Sequence, residues 1–338
     1  MRKNVSLKDI AEKAGCSVKT VSRALNNHPD VNENTRKRIL KLAEEFSYYP
    51  NMVAKSLRTK KTFTIGYIVP DITNEFFGKV GIVIEKVFRG HGYSLLMSFT
   101  EESEVNEIKS LQLLLSKRVD GIILATVGTT GDFLREVIYK FHMPVVVIDN
   151  KEEGIVTNTV LHDNIAGAYD LTRHLIEHGH RDIACITGPL AETSGRDRLL
   201  GYRKALEEHG ISVQDEYIKV SNWRVDGGYE STIELMKNSS SPPTAIFIAN
   251  SIMALGAYKC FKKLSLSVPN DVALVSFDSL EFTEAIDPPL TTLSSVEEEV
   301  GKLAASLLMD KIRNGDIEVV SEHLIKAGLC IRKSCGCN

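Results

Sequence analysis

Apolar residues recur at helical spacing near the start of the chain. Leu7, Ile10, Ala11 and Ala14 occupy positions i, i+3, i+4 and i+7, which places them on one face of a helix. Ser6 precedes this stripe and is a residue type that caps helices. The pattern therefore predicts a short amphipathic helix that begins just after Ser6.

A second helix is predicted within residues 16–26, CSVKTVSRALN. Ser17 can cap it, and Val21, Ala24 and Leu25 cluster on one side of it. The connection from the first helix is only about four residues long, which is typical of a helix-turn-helix.

A third helix is predicted after Asn32, where Ile39, Leu42, Ala43 and Phe46 repeat the same spacing. Three short helices can bury their apolar stripes together, so we expect one small all-α unit at this end of the chain.

The polar face of the second predicted helix carries two cations and two hydrogen-bonding side chains. Lys19, Ser22, Arg23 and Asn26 lie within about 60° of one another on a helix of ~100° per residue. Such a face can simply be solvated, or it can contact a polyanion. Residues 1–61 contain 14 Lys and Arg against 6 Asp and Glu, a net +8, whereas the whole chain carries −3 and the remainder therefore −11. This contrast favours a nucleic-acid partner for the N-terminal segment.

After residue 61 the pattern changes to short, continuous apolar runs. Continuous runs are typical of strands buried on both faces of a parallel sheet. They lie at residues 63–70, 93–99, 119–126, 144–150, 182–188, 216–222, 244–250 and 272–278. Helical segments separate them, as in doubly wound α/β folds. Two sets of four strands predict an α/β core with two lobes.

Polar and aromatic residues follow these predicted strands, where ligands of doubly wound sheets bind. The strand ends carry Asp71, Asn74, Phe76, Phe77, Asp149, Trp223, Asn250 and Asp278, and Arg196 and Arg198 fall in the predicted loop after ITGP. Carboxylates, amides, guanidinium groups and an indole suit a polyhydroxylated ligand. A single Asp at a strand end can equally be a helix cap, but agreement across both lobes favours a binding cleft.

Motifs of several enzyme classes are absent from the sequence. No GxGxxG follows the first predicted strand, and neither GxxxxGK[ST] nor GxSxG occurs. Binding without catalysis, and without a cofactor, is the simpler expectation. There is no apolar run of about 18 residues and no apolar signal-peptide centre, so we expect a cytoplasmic protein with no membrane partner.

The spacing of cysteine and histidine residues does not predict a metal site. The six cysteines form no paired framework, and we expect them to be reduced. Cys335 and Cys337 in the tail SCGC could supply half of the ligands of a metal site, but no second pair of cysteines and no nearby His has a suitable spacing. His174 and His178, with His180 following, lack the Glu of an HExxH motif, so a solvated helix end is expected there.

Several stretches of the chain match one known pattern closely. They are VSLKDIAEKAGCSVKTVSRALNN, YYPNMVAKSLR, IGYIVPDITNEFF, DNIAGAYDLTRHLIEHGHRDIACITGP, RLLGYRKAL, PTAIFIANSIMALG and DPPLTTL. Together they resemble the lactose/galactose repressor (LacI/GalR) family of bacterial transcription regulators. The resemblance extends from Val5 to about Ser334, which is almost the entire chain.

The resemblance implies a helix-turn-helix headpiece at 1–50, a hinge helix and linker at 51–61, and a core at 62–338 with the periplasmic-binding-protein fold. In that fold the chain crosses between the lobes three times, and the N-terminal lobe takes roughly 62–162 and 290–324. Family members act as homodimers on pseudo-palindromic operator DNA. We therefore expect a repressor whose operator affinity is controlled by a small-molecule effector.

By the same resemblance, three residues of the second helix read bases and others hold the phosphate backbone. The base-reading positions are Val18, Lys19 and Arg23, of which the two cations suit guanine O6 and N7. The phosphate contacts fall on Ser17, Thr20, Ser22 and Asn26.

The stretch YYPNMVAKSLR resembles the hinge helix of the family. Asn51 can cap it, but MVAKSLR is barely two turns long, too short to be stable alone in water. In the family such a helix inserts a leucine into the minor groove, and the matching residue is Leu57. An alternative is that Leu57 packs on the core as part of a linker.

The effector contacts that the resemblance implies fall on both lobes. They are Phe76, Phe77, Asp149, Arg198, Trp223, Asn250 and Asp278. Trp223 resembles sugar-responsive members, which favours a sugar. Asn250 is followed by Ser251, where relatives often have Asp.

Two alternatives remain open from the sequence. The core could dock a phosphorylated carrier protein instead of a free sugar, as some family members do. A stand-alone sugar-binding protein is disfavoured by the headpiece.

Overall fold

A computed structural model describes residues 5–48, 56, 59–238, 241–315 and 320–337. The chain forms two compact units, Met1–Thr62 and Phe63–Asn338. We call the three-helix part of the first unit the headpiece and the second unit the core.

The headpiece contains the three predicted helices. They are α1 (Leu7–Ala14), α2 (Val18–Leu25) and α3 (Glu33–Glu45). Ser6, Ser17 and Asn32 cap them as predicted, each accepting a hydrogen bond from a backbone N–H of the first turn. The Asp9 carboxylate accepts in return from the N–H of Ser6, which completes a capping box. Gly15 ends α1 in the left-handed conformation that glycine adopts without strain.

The three apolar stripes meet in one small core. Ile10, Val21 and Ile39 are each 0% exposed and contact residues of the other helices. Leu7 and Leu42, which the periodicity also placed inside, are only half-buried at its rim. The polar side of α2 is consequently left on the outside of the bundle.

The first lobe of the core is built on a parallel sheet of six strands among the described residues. Across the sheet these are β11 (Glu322–Ile325), β5 (Asn158–His162), β4 (Val145–Ile148), β3 (Gly121–Ala125), β1 (Thr64–Val69) and β2 (Ser94–Phe99).

Helices cover both faces of this sheet. One face packs on α4 (Glu75–Gly90) and α12 (Glu297–Asn314), and the other on α5 (Glu104–Ser116) and α6 (Gly131–Arg135), which a π-helical turn, Glu136–Lys140, extends. Along β1, Ile65 and Tyr67 face the first pair of helices, whereas Ile68 faces the second pair. Both faces are therefore apolar, which is why this strand is a continuous hydrophobic run.

The second lobe is also built on a parallel sheet, with four strands among the described residues. Across the sheet these are β7 (Ile218–Val220), β6 (Ile183–Thr187), β8 (Ala245–Ile248) and β9 (Ala273–Ser276). Its helices are α7 (Asn164–Glu177), α8 (Thr193–Glu208), α9 (Val225–Asn238), α10 (Ser251–Leu264) and α11 (Glu281–Ala285), with a 3-10 turn at Asp215–Tyr217. Every helix in the described ranges is too short or too polar to span a bilayer.

All eight predicted strands are present, and the prediction of an α/β core with two parallel-sheet lobes is confirmed. It missed β5 and β11, which extend the first sheet, and the short antiparallel pair β10 (Thr292–Leu293) and β12 (Leu329–Cys330). The prediction that the strands are buried on both faces is wrong for β2 and β7. Both are edge strands with partly exposed side chains.

Within the described residues, the chain passes between the lobes three times. It passes from the first lobe to the second after β5, from the second to the first between β10 and α12, and from the first to the second again after β11.

In the second lobe, Gly201 allows α7 and α8 to approach closely. A Cβ atom at this position would press into the carbonyl oxygen of Ile165 and lie 2.9 Å from Cβ of Ala168. Both obstacles belong to α7, and the first is backbone, so neither can move aside cheaply. Gly201 is thus a packing requirement of the lobe.

We predict that Gly201→Ala destabilises the core by about 1–3 kcal/mol, because α7 and α8 would have to separate. Gly78 of α4 is the matched control, since a Cβ there meets nothing within 4 Å. Gly78→Ala should be neutral or stabilise by up to ~1 kcal/mol through helix propensity. Urea unfolding of both variants measures the difference, and equal stabilities would contradict the packing argument.

Candidate functional site

The residues expected to face DNA lie together on the exposed side of α2. Val18, Lys19, Ser22, Arg23 and Asn26 line one shallow depression with Leu7 and His28. Val18 is 44% exposed, so its apolar side chain is available to a partner on this face. Ser17 and Thr20 lie at the N-terminal end of the same helix.

Several of these side chains already hold the ends of the helix. The Ser17 hydroxyl accepts from the N–H of Thr20 at 3.1 Å, and Nδ2 of Asn26 donates to the carbonyl of Ser22 at 2.7 Å. Arg23 lies 3.6 Å from a carboxylate oxygen of Asp30, and both side chains are well exposed. An exposed ion pair contributes only about 0–1 kcal/mol, so this guanidinium can exchange Asp30 for another acceptor at small cost.

Two of the predicted DNA contacts, Asn51 and Leu57, lie outside the described residues. The wedge expected at Leu57 therefore stays a prediction.

The seven residues expected to contact an effector line one cavity between the lobes of the core. It measures about 40 Å³. Phe76, Phe77 and Asp149 come from the first lobe, and Arg198, Trp223, Asn250 and Asp278 come from the second. Other lining residues are Pro70, Asn74, Glu102, Asn150, His162, Glu192 and Ser194. We call this cavity the cleft.

Arg198 lies in the second turn of α8, so its predicted place in a loop after ITGP is wrong; the same holds for Arg196. The helix begins early because Gly195 lets its first turn pack against the backbone of the preceding loop. Being on a helix fixes the direction of the Arg198 side chain, which is only 4% exposed.

The Arg198 guanidinium joins several elements at the cleft. Its Nε donates to Oδ1 of Asn164 at 2.8 Å, and Nη1 donates to the carbonyl of Ala249 at 2.5 Å. It stacks on the ring of Phe277 at 3.8 Å and lies 3.9 Å from a carboxylate oxygen of Asp278. Arg198 therefore connects several elements of the second lobe in addition to lining the cleft.

The cleft collects more carboxyl groups than cations. Burial raises the pKa of Glu192 to about 8, of Glu102 to about 7 and of Asp149 to about 6. The charge of Glu102 adds to the effect on Glu192, whereas Arg198 opposes the effect on Asp149. Burial also raises the pKa of Asp278. Near neutral pH the cleft therefore holds both protonated and ionised carboxyl groups.

Asn150 connects the two lobes across the cleft. Its Oδ1 accepts from the backbone N–H of Ser194 at 2.9 Å and from the hydroxyl of Thr193 at 3.2 Å, and its Nδ2 donates to Glu192 at 3.2 Å. The backbone N–H of Lys151 also donates to Thr193, at 3.1 Å. These bonds join the end of β4 to the start of α8, so this arrangement of the lobes depends on them.

Two cleft residues have left-handed backbone conformations. Asp149 has φ 66° and Trp223 has φ 64°, values that are uncommon for residues other than glycine. The indole N–H of Trp223 donates to Glu192 at 2.8 Å, and its ring lies where a Cβ on Gly188 would collide with it. Strained residues held by their surroundings cluster at functional sites.

The sequence reasoning missed Glu102, Asn150, His162 and Glu192 as cleft residues. Glu102 and Asn150 follow predicted strands, so the rule that selected Asp149 could have found them. His162 ends β5, a strand that was not predicted, and burial lowers its pKa to about 3. No sequence pattern indicated that Glu192 lines the cleft, because its position depends on where α8 begins.

The predicted solvated helix end is wrong for His174, which is 3% exposed. His178, one turn later, is exposed. Nε2 of His174 lies 3.2 Å from Sγ of Cys337 in the tail. In the described part of the chain, His174, Cys335 and Cys337 form the group of side chains that could hold a metal ion.

Comparisons with known proteins agree with both units of the chain. Residues 6–51 match the family of bacterial regulatory proteins, lacI family, and residues 172–335 match the periplasmic binding protein-like domain. The HTH-type transcriptional repressor PurR of Photobacterium profundum is 33% identical over 93% of this chain and 93% of its own.

Two solved structures cover nearly the whole chain. The lac repressor dimer bound to operator and the anti-inducer ONPF aligns with a TM-score of 0.86 at 27% identity, over 98% of this chain and 99% of that one. The complex of the transcriptional regulator CelR with cellobiose aligns with a TM-score of 0.74 at 27% identity, over the same shares. The resemblance found in the sequence is thereby confirmed, and the chain belongs to the lacI family of bacterial regulatory proteins.

Proposed function

We propose that this protein is a sequence-specific transcriptional repressor that binds operator DNA as a homodimer and is controlled by a neutral sugar bound in the cleft. One observation carries the proposal. Seven polar and aromatic residues from both lobes converge on one cavity, in a chain whose other unit has an exposed, cationic second helix. The lac repressor structure, a dimer bound to operator, supports the same assembly here.

In the headpiece, α2 lies in the major groove. Lys19 and Arg23 read guanine edges and Val18 contacts an apolar base edge, whereas Ser17, Thr20, Ser22 and Asn26 bind phosphates. The exposure of Val18 and the weak pairing of Arg23 support this assignment. The two heads of a dimer read half-sites about one helical turn, ~34–36 Å, apart.

We assign residues 1–50 to the headpiece, 51–61 to the hinge and 62–338 to the core. Within the hinge, Asn51 caps a short helix that forms on DNA and Leu57 enters the minor groove. The support is the family membership and the sequence YYPNMVAKSLR.

The effector is a neutral polyhydroxylated molecule. Four carboxyl groups, Glu102, Asp149, Glu192 and Asp278, line the cleft beside one cation, Arg198. Glu192 is largely protonated near neutral pH, but Asp149, whose pKa is about 6, is ionised there and repels a phosphorylated ligand. Carboxylates accept hydrogen bonds from hydroxyls, and side-chain amides accept through oxygen and donate through nitrogen. The Trp223 ring covers an apolar sugar face. The complex of the relative CelR with cellobiose supports a sugar.

Binding couples to DNA through the lobes. A cavity of about 40 Å³ has room for only a few water molecules, so a sugar must move the lobes or the side chains that line the cleft. The hydrogen bonds of Asn150 to α8 are the contacts that such a movement would break or rearrange. A ligand that prefers one lobe arrangement shifts the protein toward it.

The protein acts by binding and not by catalysis, as its relatives that are named transcriptional repressors do. It works in the bacterial cytoplasm, because the operator DNA is there.

Two screens test this function. Selection from a random duplex pool should return a pseudo-palindromic operator, and thermal-shift measurements on a panel of neutral sugars and sugar phosphates should return a neutral sugar. Calorimetry then measures the affinity of that sugar. A core that binds only a phosphorylated carrier protein, and no free sugar, would contradict the proposal.

Arg23→Ala should weaken binding to a cognate half-site by about 1–3 kcal/mol and relax specificity there, because a bidentate base contact is lost. The control is Lys41→Ala on α3, an exposed cation outside the predicted base-reading face. It should weaken cognate and random DNA equally, if at all. Fluorescence anisotropy on both duplexes measures this, and an equal loss for Arg23→Ala would show that Arg23 contacts only phosphate.

Asp149→Asn should weaken sugar binding by about 10- to 100-fold, the loss expected for a charged hydrogen bond of ~1.5–3 kcal/mol. Asn tolerates the left-handed backbone, so the substitution adds little strain. Asp132→Asn, on the exposed surface of the same lobe, is the matched control. Operator affinity without sugar should stay unchanged in both variants, and undiminished sugar affinity in folded Asp149→Asn would refute the assignment of the cleft.

Glu192 makes stability depend on pH. Its pKa rises from 4.5 to about 8 on folding, so between these values the folded protein binds more protons than the unfolded chain. The free energy of unfolding therefore falls as pH rises through this range. Glu192→Gln removes this titration, so its stability should decline less between pH ~4.5 and ~8 than that of the wild type. Denaturation at several pH values checks this against Glu207→Gln, a substitution of an exposed residue in α8, and parallel curves for all three proteins would contradict it.

A further inference from the structure

The C-terminal Cys-Gly-Cys segment lies against helix α7 of the second lobe. Sγ of Cys335 is 2.9 Å from Sγ of Cys337, and Sγ of Cys337 is 3.2 Å from Nε2 of His174. The three possible ligand atoms all lie within 4.8 Å of one another. Residues separated by about 160 positions in sequence thus form one cluster, which we call the tail cluster.

The fold holds the tail in this position. Ser334 donates its hydroxyl to the carbonyl of Leu274 at 2.6 Å, and the N–H of Leu274 donates to the carbonyl of Ser334 at 2.8 Å. The N–H of Thr291 donates to the Ser334 hydroxyl at 2.8 Å. Gly336 has φ 81°, which turns the chain so that both cysteine sulfurs lie on the same side. The cluster is therefore anchored to β9 immediately before its first cysteine.

Burial and access differ within the tail cluster. His174 is 3% exposed and Cys335 is 1% exposed, whereas Cys337 is only half-buried. Thr291 donates its hydroxyl to Sγ of Cys335 at 3.2 Å. A ligand can thus enter beside Cys337 and meet two preplaced groups, one of which already has a supporting hydrogen bond of the kind that orients metal ligands.

We propose that His174, Cys335 and Cys337 bind one Zn²⁺ ion, with its fourth position open to solvent. Two thiolates and an imidazole are the ligand types that zinc prefers, and the two thiolates balance the charge of the ion. Both thiols release their protons to solvent on binding.

The distances need only a small adjustment for a tetrahedral ion. Zn–S bonds of about 2.3 Å and Zn–N bonds of about 2.0–2.1 Å place neighbouring ligand atoms roughly 3.5–3.8 Å apart. The separations of 2.9 Å and 3.2 Å both involve Cys337, and they reach that range if Cys337, the least buried member, moves outward by less than about 1 Å. The ligand atoms of the third pair, Cys335 and His174, lie within 4.8 Å of each other. Binding then ties the tail to α7.

Cobalt substitution tests the site directly on the full-length, reduced protein. Co²⁺ should bind with a stoichiometry of one per chain and give the d–d absorption of a tetrahedral ion together with thiolate-to-cobalt charge transfer. Zn²⁺ should displace it, and Mg²⁺ should not. Zinc should also raise the melting temperature of the core, because it binds only the folded cluster.

Two substitutions decide whether these residues are the ligands. Cys337→Ser and His174→Gln should each weaken zinc binding by at least about 100-fold, because even the loss of a supporting partner costs about 10- to 100-fold. Cys330→Ser in β12 and His209→Gln, an exposed histidine at the end of α8, are the matched controls and should leave the affinity unchanged. Cys337 is the more exposed ligand, so its variant stays informative if His174→Gln unfolds.

The proposal is overturned if the reduced wild type gives no thiolate-to-cobalt band, or if Cys337→Ser binds zinc as tightly as the wild type does. A disulfide between Cys335 and Cys337 that persists under reductant would overturn it as well.

Discussion

The second lobe depends on one buried guanidinium, that of Arg198. It has almost no access to bulk water, so its charge must be satisfied by the protein, and each acceptor that does so comes from a different element: Asn164 opens α7, Ala249 follows β8, and Asp278 follows β9. These elements can meet only when the lobe is correctly folded. The same group opposes the rise in the pKa of Asp149 on the other lobe. Arg198 therefore contributes both to the folded structure of the second lobe and to the electrostatics of the cleft.

Under the proposed function, this arrangement gives the cleft a means of controlling the headpiece. The lobes face each other through carboxyl groups whose pKa values are raised by burial, and Asn150 adds hydrogen bonds from the end of β4 to the start of α8. A neutral sugar supplies hydroxyls that replace such bonds without adding charge. The chain joins a core of this type to a DNA-binding head, and the proposed function has the sugar act on operator binding by changing the arrangement of the lobes.

Local patterns in the sequence were sufficient for the headpiece and for most strands. Caps such as Ser6 and Asn32 and the apolar stripes of the three helices act over a few residues, so they are visible in the sequence. The strand β5 and the position of Glu192 were missed, because both depend on packing between segments distant along the chain. His174 shows the same limit, since its partner Cys337 reaches it only through the folded lobe. Strand ends and family resemblance together selected seven of the residues that line the cleft, but they did not predict the helix that carries Arg198.

The most direct test of the account is thermodynamic linkage between the cleft and the operator. Operator affinity would be measured with and without saturating sugar, and sugar affinity with and without saturating operator, on the same dimer. The account predicts that the two ratios are equal and differ from one by about 5- to 150-fold, the usual range of allosteric coupling. A sugar that binds the cleft tightly while both ratios stay at one would contradict it, because the cleft would then have no control over DNA binding.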